Sequence, residues 1–263
     1  MSTAFTLPDF VEKQEIPKPS GRWSFSALMT FEQCPYKYFV EQRLGHRGLS
    51  GPAAKRGSKI HDECEHYITM QTNDLPTDAK IQAWMPELQE LRGMYADGQQ
   101  VICEDEWAFD KDWNKVPWGA ENAWLRGKLD VFVLEGTSAH IIDWKTGRKF
   151  GNEMKHQQQG ILYAIMAFMI YPELEFVRVE FLYLDQPYRT NLEQTYTRQQ
   201  ALAFLPNFER RVAKMLNADL NTFAPPISLD GYPKYLQDWL KDPANYGHEN
   251  NPFDTPYYAN SVD

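Results

Sequence analysis

Ile141-Ile142-Asp143-Trp144-Lys145-Thr146-Gly147 is the stretch on which the reading of this chain turns. It is rich in β-branched and aromatic residues and carries an acid and a lysine two positions apart, as a strand would present them on one face. Upstream stands a partner, Arg126-Gly127-Lys128-Leu129-Asp130, and Glu135-Gly136-Thr137-Ser138 reads as a four-residue turn between the two strands. With that loop Leu134 pairs with Ala139, and the register running back sets Asp130 opposite Asp143. Opposed residues of an antiparallel pair share a face, with Cβ atoms about 4.5–5.5 Å apart. Two carboxylates and the Lys145 ammonium are therefore expected at one point.

An isolated Asp-x-Lys on a strand is by default a solvated ion pair. Here Ile141, Ile142 and Trp144 bury the strand around the acids, where charges are seldom placed without pairing or function. A carboxylate pair of this kind suits Mg²⁺ or Mn²⁺, which takes oxygen ligands and phosphate oxygens. Such an ion polarises a phosphate and lowers the pKa of a bound water, which Lys145 would orient or deprotonate. The hairpin thus predicts a metal-dependent nuclease.

Around the hairpin the chain alternates between two periods. Ser24 or Ser26 caps a helix through Ala27, Leu28, Phe31 and Phe39, interrupted near Pro35. Gly51-Pro52 opens a helix to about Met70, and another covers Asp78 to Ala96 with a break near Pro86. Residues 101–109, 123–134 and 139–144 read as strands, and a long helix covers Asn152 to Tyr171. Phe176 to Leu184 and Asn191 to Tyr196 read as two further strands. Thr197 caps a last helix, Arg198 to Leu216, and a short helix near Tyr235 to Leu240 lies in a proline-rich tail. The order predicts an α/β fold, a mixed sheet flanked by helices. The expected organisation is an arm over 1–22, a domain over 23–218 with a helical N-terminal part, and a tail over 219–263 packed on it.

The formal net charge of -9 averages a basic stretch (Lys37, Arg43, Arg47, Lys55, Arg56, Lys59) with an acidic tail beyond Ala218, so it does not exclude DNA as a partner. Cys34, Cys64 and Cys103 are widely spaced, with no CxxC pair, which argues for a reducing compartment. Residues 1–21 lack the apolar core of a secretion signal. The longest apolar run, Ile161 to Tyr171, is shorter than the ~20 residues a bilayer span needs. A bacterial or phage-infected host cytoplasm is the expected location.

Gly127-x-x-Asp130, Asp143-Trp144-Lys145-Thr146-Gly147 and Gln159-x-x-x-Tyr163, preceded by Gly57-x-x-x-His61 and by Phe31-x-x-Cys34-Pro35-x-x-Tyr38-Phe39, resemble the RecB-family branch of the PD-(D/E)XK nucleases. The resemblance spans about residues 23 to 185 and implies the restriction-endonuclease-like fold. It also implies that His61, Asp130, Asp143 and the Trp144 carbonyl bind the metal and that Lys145 is catalytic. Gln159 and Tyr163 would contact DNA or brace the site. Read without it, His61 is a helix-surface histidine and Gln159 and Tyr163 the polar flank of a core helix. Arg148, Lys149 and Lys155 are candidates for phosphate contacts, and Glu104 and Glu106, on one face, for an extra acid; His66 is read as structural.

Relatives carrying an iron–sulfur cluster use one early cysteine and three near the C-terminus. The tail here has none, so no iron–sulfur cluster is expected, and Cys34 is read as packing. The leading expectation is a stand-alone Mg²⁺/Mn²⁺-dependent DNA exonuclease of recombination, repair or replication, suited to a phage. It would act on single-stranded DNA or duplex ends, with a helicase, recombinase or single-strand-binding protein as partner and no membrane. The alternatives are a catalytically silent nucleic-acid-binding subunit and a CRISPR-adaptation-type nuclease.

Overall fold

The computed structural model describes residues 21–43, 51–147, 149–186 and 188–218. The chain divides into two compact units, residues 52–210 and residues 1–51 with 211–263. Most of the expected arm, the expected tail with its short helix, and Arg148 lie outside the described residues.

In the smaller unit, α1 (Phe25–Gln33) is followed by the single turn α2 (Pro35–Tyr38) and a π-helical turn, Phe39–Arg43. Ser24, rather than Ser26, is the cap: its Oγ accepts from the Ala27 N–H at 3.2 Å. The Arg211 Nε lies 2.6 Å from a Glu32 carboxylate oxygen in the same unit.

The larger unit holds α3 (Pro52–Ile68), a 3₁₀ turn (Ile81–Trp84), α4 (Met85–Ala96), β1 (Gln100–Phe109), β2 (Lys115–Val116), β3 (Leu125–Glu135) and β4 (Ser138–Lys145). These are followed by α5 (Glu153–Ile170), β5 (Phe176–Tyr183), β6 (Thr190–Thr197), α6 (Arg198–Leu202) and α7 (Leu205–Leu216), of which the residues from Arg211 on belong to the smaller unit. The strands form one mixed sheet of order β2-β1-β3-β4-β5-β6. Only β4 and β5 run parallel, and α5 is the crossover between them.

The expected break near Pro86 is present, and three boundaries differ from expectation, two of them because of proline. Pro86, in the first turn of α4, offers no N–H to the turn before it, so the segment starts as a 3₁₀ turn at Ile81. Pro206 likewise divides the expected final helix: α6 ends at Leu202 and α7 starts at Leu205. Thr197 caps α6 with a reciprocal capping box through Gln200. The loop expected over Glu135–Ser138 is tighter, since Glu135 pairs with Ser138 and only Gly136 (φ 60°) and Thr137 turn the chain. Its register is the expected one, with Leu134 opposite Ala139.

The sheet is covered on both faces. Ile60, Cys64, Tyr67 and Ile68 of α3, with Leu88 and Leu91 of α4, pack on Val101, Val131, Val133, Ile142, Trp144 and Leu182. The residues alternating with these face α5. There the approach is close: a Cβ on Gly160 would meet Phe181 at 3.3 Å, and one on Gly127 would meet the Met166 Cε at 2.6 Å. A larger residue at position 127 would require the end of the Met166 side chain to move aside. Asp130 and Asp143 sit between these layers, 8% and 3% exposed.

Candidate functional site

The site is built where the hairpin, β1, α3 and α5 meet. The β3–β4 ladder runs to Val131↔Ile142, and the next pair in that register is Asp130 and Asp143. The two carboxylates nevertheless have different partners. Asp130 Oδ2 accepts the Trp144 backbone N–H at 2.7 Å, and its Oδ1 lies 3.3 Å from the His61 Nδ1. Asp143 Oδ1 lies 2.7 Å from the Lys145 Nζ, while its Oδ2 accepts from the Tyr163 hydroxyl at 3.2 Å. The expected convergence of Lys145 on both acids is thus divided: Lys145 serves Asp143, and His61 serves Asp130.

His61 reaches the site because Gly57, one turn earlier on α3, leaves room: a Cβ there would meet the Thr146 Oγ1 at 3.3 Å. Its Nδ1 faces Asp130 and also Glu104 Oε1, at 3.4 Å, and its Nε2 lies 3.2 Å from the Trp144 carbonyl oxygen. Both ring nitrogens therefore face acceptors. Burial disfavours charge on the ring, but the Asp130 and Glu104 carboxylates outweigh it and raise the imidazole to about 10.

The extra acid is Glu104. What separates Glu104 from Glu106 is its backbone: Glu104 has φ 52°, a left-handed conformation inside a strand. Its carboxylate joins His61 and lies 2.5 Å from the Lys128 Nζ, whereas Glu106 is exposed. Burial pushes the Glu104 carboxyl up, yet His61 and Lys128 hold it below its ordinary range. Strain of this type inside a strand persists where surrounding contacts fix it, and it collects at functional sites.

Around Asp143, α5 supplies a chain of polar groups. The Lys145 Nζ donates to Gln159 Oε1 at 3.2 Å, the Gln159 Nε2 donates to the Tyr163 oxygen at 2.7 Å, and the Tyr163 hydroxyl also lies 3.1 Å from the Lys128 carbonyl. This chain orients the Gln159 amide, because only its oxygen is left to face the lysine. Burial pushes the Asp143 carboxyl up, although Lys145 opposes the shift. Burial likewise pushes the Tyr163 phenol well up, which keeps it a neutral donor.

His156 and Tyr183 were not singled out from sequence. They lie beneath Lys145 and share a hydrogen bond of 2.6 Å. The signal for His156 was its place one turn before Gln159. Of the phosphate candidates, Lys149 donates to the Asn191 carbonyl at 2.9 Å.

The donor set fits a divalent cation. Ligand atoms of His61, Glu104 and Asp130 all lie within 4.8 Å of one another. Asp143 Oδ1 is buried and meets the Lys145 ammonium at 2.7 Å, with nothing else among the described residues hydrogen-bonded to it.

A model of the PD-(D/E)XK nuclease superfamily matches residues 22–230. The chain belongs to that superfamily. The six-stranded mixed sheet with helices on both faces is the restriction-endonuclease-like α/β fold expected of this nuclease. Among solved structures the nuclease is similar to a candidate exonuclease from Eubacterium rectale, at 14% identity and a TM-score of 0.45, over 80% of this chain and 92% of that one. It is also similar to a phage-related exonuclease from Haemophilus somnus 129PT, at 14% identity and a TM-score of 0.29, over 74% and 92% of the two chains. No curated protein matches the chain. Among the described residues no helix is long and apolar enough to cross a membrane.

Proposed function

We propose that this nuclease is a divalent-cation-dependent deoxyribonuclease, acting as an exonuclease of the RecB-like branch. The observation that carries the reading is the burial of Asp130 and Asp143 side by side, with Glu104 and three basic groups (His61, Lys128 and Lys145) around them. A fold has no use for such an arrangement, since burying paired charges rarely stabilises a protein more than apolar packing does.

His61, Glu104 and Asp130 would hold the cation, with Asp143 and the Trp144 carbonyl beside them. Four oxygen donors and one imidazole suit Mg²⁺ or Mn²⁺, and the imidazole tilts the choice towards Mn²⁺. When bound, the cation would polarise a phosphodiester oxygen and make water a stronger acid. Asp130 is fixed for this by the Trp144 N–H, which occupies one carboxylate oxygen and leaves the other towards His61. Lys145 has three N–H groups. Asp143 and Gln159 take two, and the third remains to hold the attacking water or a phosphate oxygen. Tyr163 and Gln159 act behind it by keeping Asp143 and the ammonium in register.

The test is incubation with 5′- and 3′-labelled single- and double-stranded DNA and RNA in Mg²⁺, Mn²⁺ or EDTA. Release of mononucleotides or short products from a DNA end, lost in EDTA and in Asp143→Ala, is expected. Cleavage that persists in Asp143→Ala would overturn the reading.

A further inference from the structure

Lys145 has a polar side and an apolar one. Opposite Asp143 and Gln159 its Nζ lies 5.2 Å from the centre of the Phe181 ring. Phe181 pairs with Asp143 across the parallel ladder, so the ring rises from the neighbouring strand directly beside the hairpin acids. The Phe181 ring also meets α5. His156 stacks on it with ring centres 5.4 Å apart and planes 24° from parallel, and Gly160, one turn on, lacks the Cβ that would crowd the ring at 3.3 Å. His156 is in turn fixed by the 2.6 Å hydrogen bond to the Tyr183 hydroxyl, and Tyr183 pairs with Lys145 in the same ladder. The result is a closed circuit: Lys145, Phe181, His156, Tyr183, and back through the sheet to Lys145.

Resting on the role of Lys145 given above, we infer that His156 is a positioning residue, which holds the Phe181 ring in place and through it sets where the Lys145 ammonium stands. A lysine on four rotatable bonds is not placed by one carboxylate alone. A third contact from below confines it, and that contact is only as rigid as the ring that makes it. An aliphatic residue at position 156 would fill the space without locking the ring plane. Histidine does both, because its nitrogen bonds Tyr183 while its face meets Phe181. Burial, with Lys145 nearby, pushes the His156 imidazole down to about 4, so it offers the ring a neutral face and adds no second positive charge beside the ammonium.

The test pairs a spectrum with kinetics. In protein labelled with ¹³C,¹⁵N-lysine, the Lys145 Hε and Cε resonances, assigned by their loss in Lys145→Arg, should be displaced by the Phe181 ring current. In His156→Ala they should move to the position of an exposed lysine. The double variant His156→Phe/Tyr183→Phe keeps a stacked ring and leaves no hydroxyl unpaired, so it should restore them. Cleavage should follow: kcat falls about 10- to 100-fold in His156→Ala, as misplacement of a reacting group by about 1 Å does. KM and the cation concentration for half-maximal rate should stay unchanged, and the double variant should recover most of kcat. If His156→Ala does not fold, His156→Gln, which keeps a bond to Tyr183 but has no ring, carries the same expectation.

Unmoved Lys145 resonances, a double variant that behaves like His156→Ala, or a KM and cation requirement that change in step with kcat would each overturn the inference. The spectrum separates it from the functional reading. A wild-type protein that cuts nothing while its Lys145 resonances respond as stated sinks the activity and leaves the positioning in place.

Discussion

Two of the charged networks in the larger unit of this molecule follow opposite rules. In the first, Arg56 forks onto Asp78, with Nε and Nη2 at 2.7 and 3.1 Å from its two oxygens, and reaches Asp185 with Nη1. Each of the two carboxylates has a guanidinium partner, and all three side chains keep an edge in water. In the second, three acids (Glu104, Asp130 and Asp143) are set against Lys128, Lys145 and His61, largely out of water. Their balance depends on a proton on His61, and Asp143 Oδ1 relies on the Lys145 ammonium alone among the described residues. The first network ties the start of α3 to the end of β5. The second pins nothing that apolar side chains would not pin better, which marks it as built for a ligand.

The largest effect should come from Asp143→Asn, which is close in size and removes the charge. Cleavage is expected to fall by about three orders of magnitude or more, as loss of an essential group does. The melting temperature should stay within a few degrees of wild type, because the lost carboxylate was itself opposed by burial and Lys145 can turn its ammonium to solvent. A large loss of stability would place Asp143 with the Arg56 type of network instead.

Next in size is Glu104→Gln. It keeps the shape and the contact to Lys128 but weakens the acid cluster, so Mn²⁺ affinity measured by calorimetry should drop on the order of 10- to 100-fold, with the cation requirement for cleavage rising in parallel. Glu106→Gln, on an exposed residue of the same strand, serves as the control and should change neither.

That control exposes what sequence could and could not carry. The hairpin was legible because its turn residues and its β-branched runs set one register, and a tighter turn left that register intact. The acid on β1 was not legible, because strand alternation assumes regular φ, and Glu104 departs from it at 52°. The division of Asp130 and Asp143 between His61 and Lys145 was equally hidden. Both acids share a register position, but the imidazole arrives from α3, whose approach is set by packing at Gly57 and not by any local pattern. Gln159 and Tyr163 stood out only through the family resemblance. His156 carried only its place one turn before Gln159 as a signal, since its partner Phe181 and its bond to Tyr183 come from a strand more than 20 residues away.

Acid separates the networks further. His156 is depressed to about 4 in the folded protein, against an ordinary histidine value near 6.5, so the unfolded chain binds the extra proton in between. Stability from this group is full above pH 6.5 and is lost as pH falls towards 4, roughly 2 kcal/mol of it by pH 5. His61 has the opposite sign: its raised value gives stability present below 6.5 and lost as pH rises towards 10. The two act on opposite sides of pH 6.5, so together they place the greatest stability near that pH. The difference between wild type and His156→Phe in urea unfolding, followed from pH 7.5 to 5, isolates the first, and the gap should narrow as pH falls. A constant gap would mean that His156 is not held neutral.

The smallest effect is expected in the first network. Arg56 is about a third exposed, and ion pairs at such positions contribute little, typically 0.2–1 kcal/mol each. The bidentate fork on Asp78 and the added Asp185 contact place Arg56→Ala at the upper end, about 1 kcal/mol, seen as a lower urea midpoint with an unchanged slope. Raising the salt to 1 M should shrink that difference, because water reaches these charges and the screening length falls to about 3 Å. Cleavage per folded molecule should change little, although Arg56 stands next to Gly57 and little more than a turn from His61. The contrast is then complete in one measurement: a charge near the site whose removal costs stability and not rate, against Asp143, whose removal costs rate and not stability. A collapse of rate in Arg56→Ala at unchanged midpoint would mean that α3 needs its first turn tied down to present His61, and the two networks would have to be treated as one.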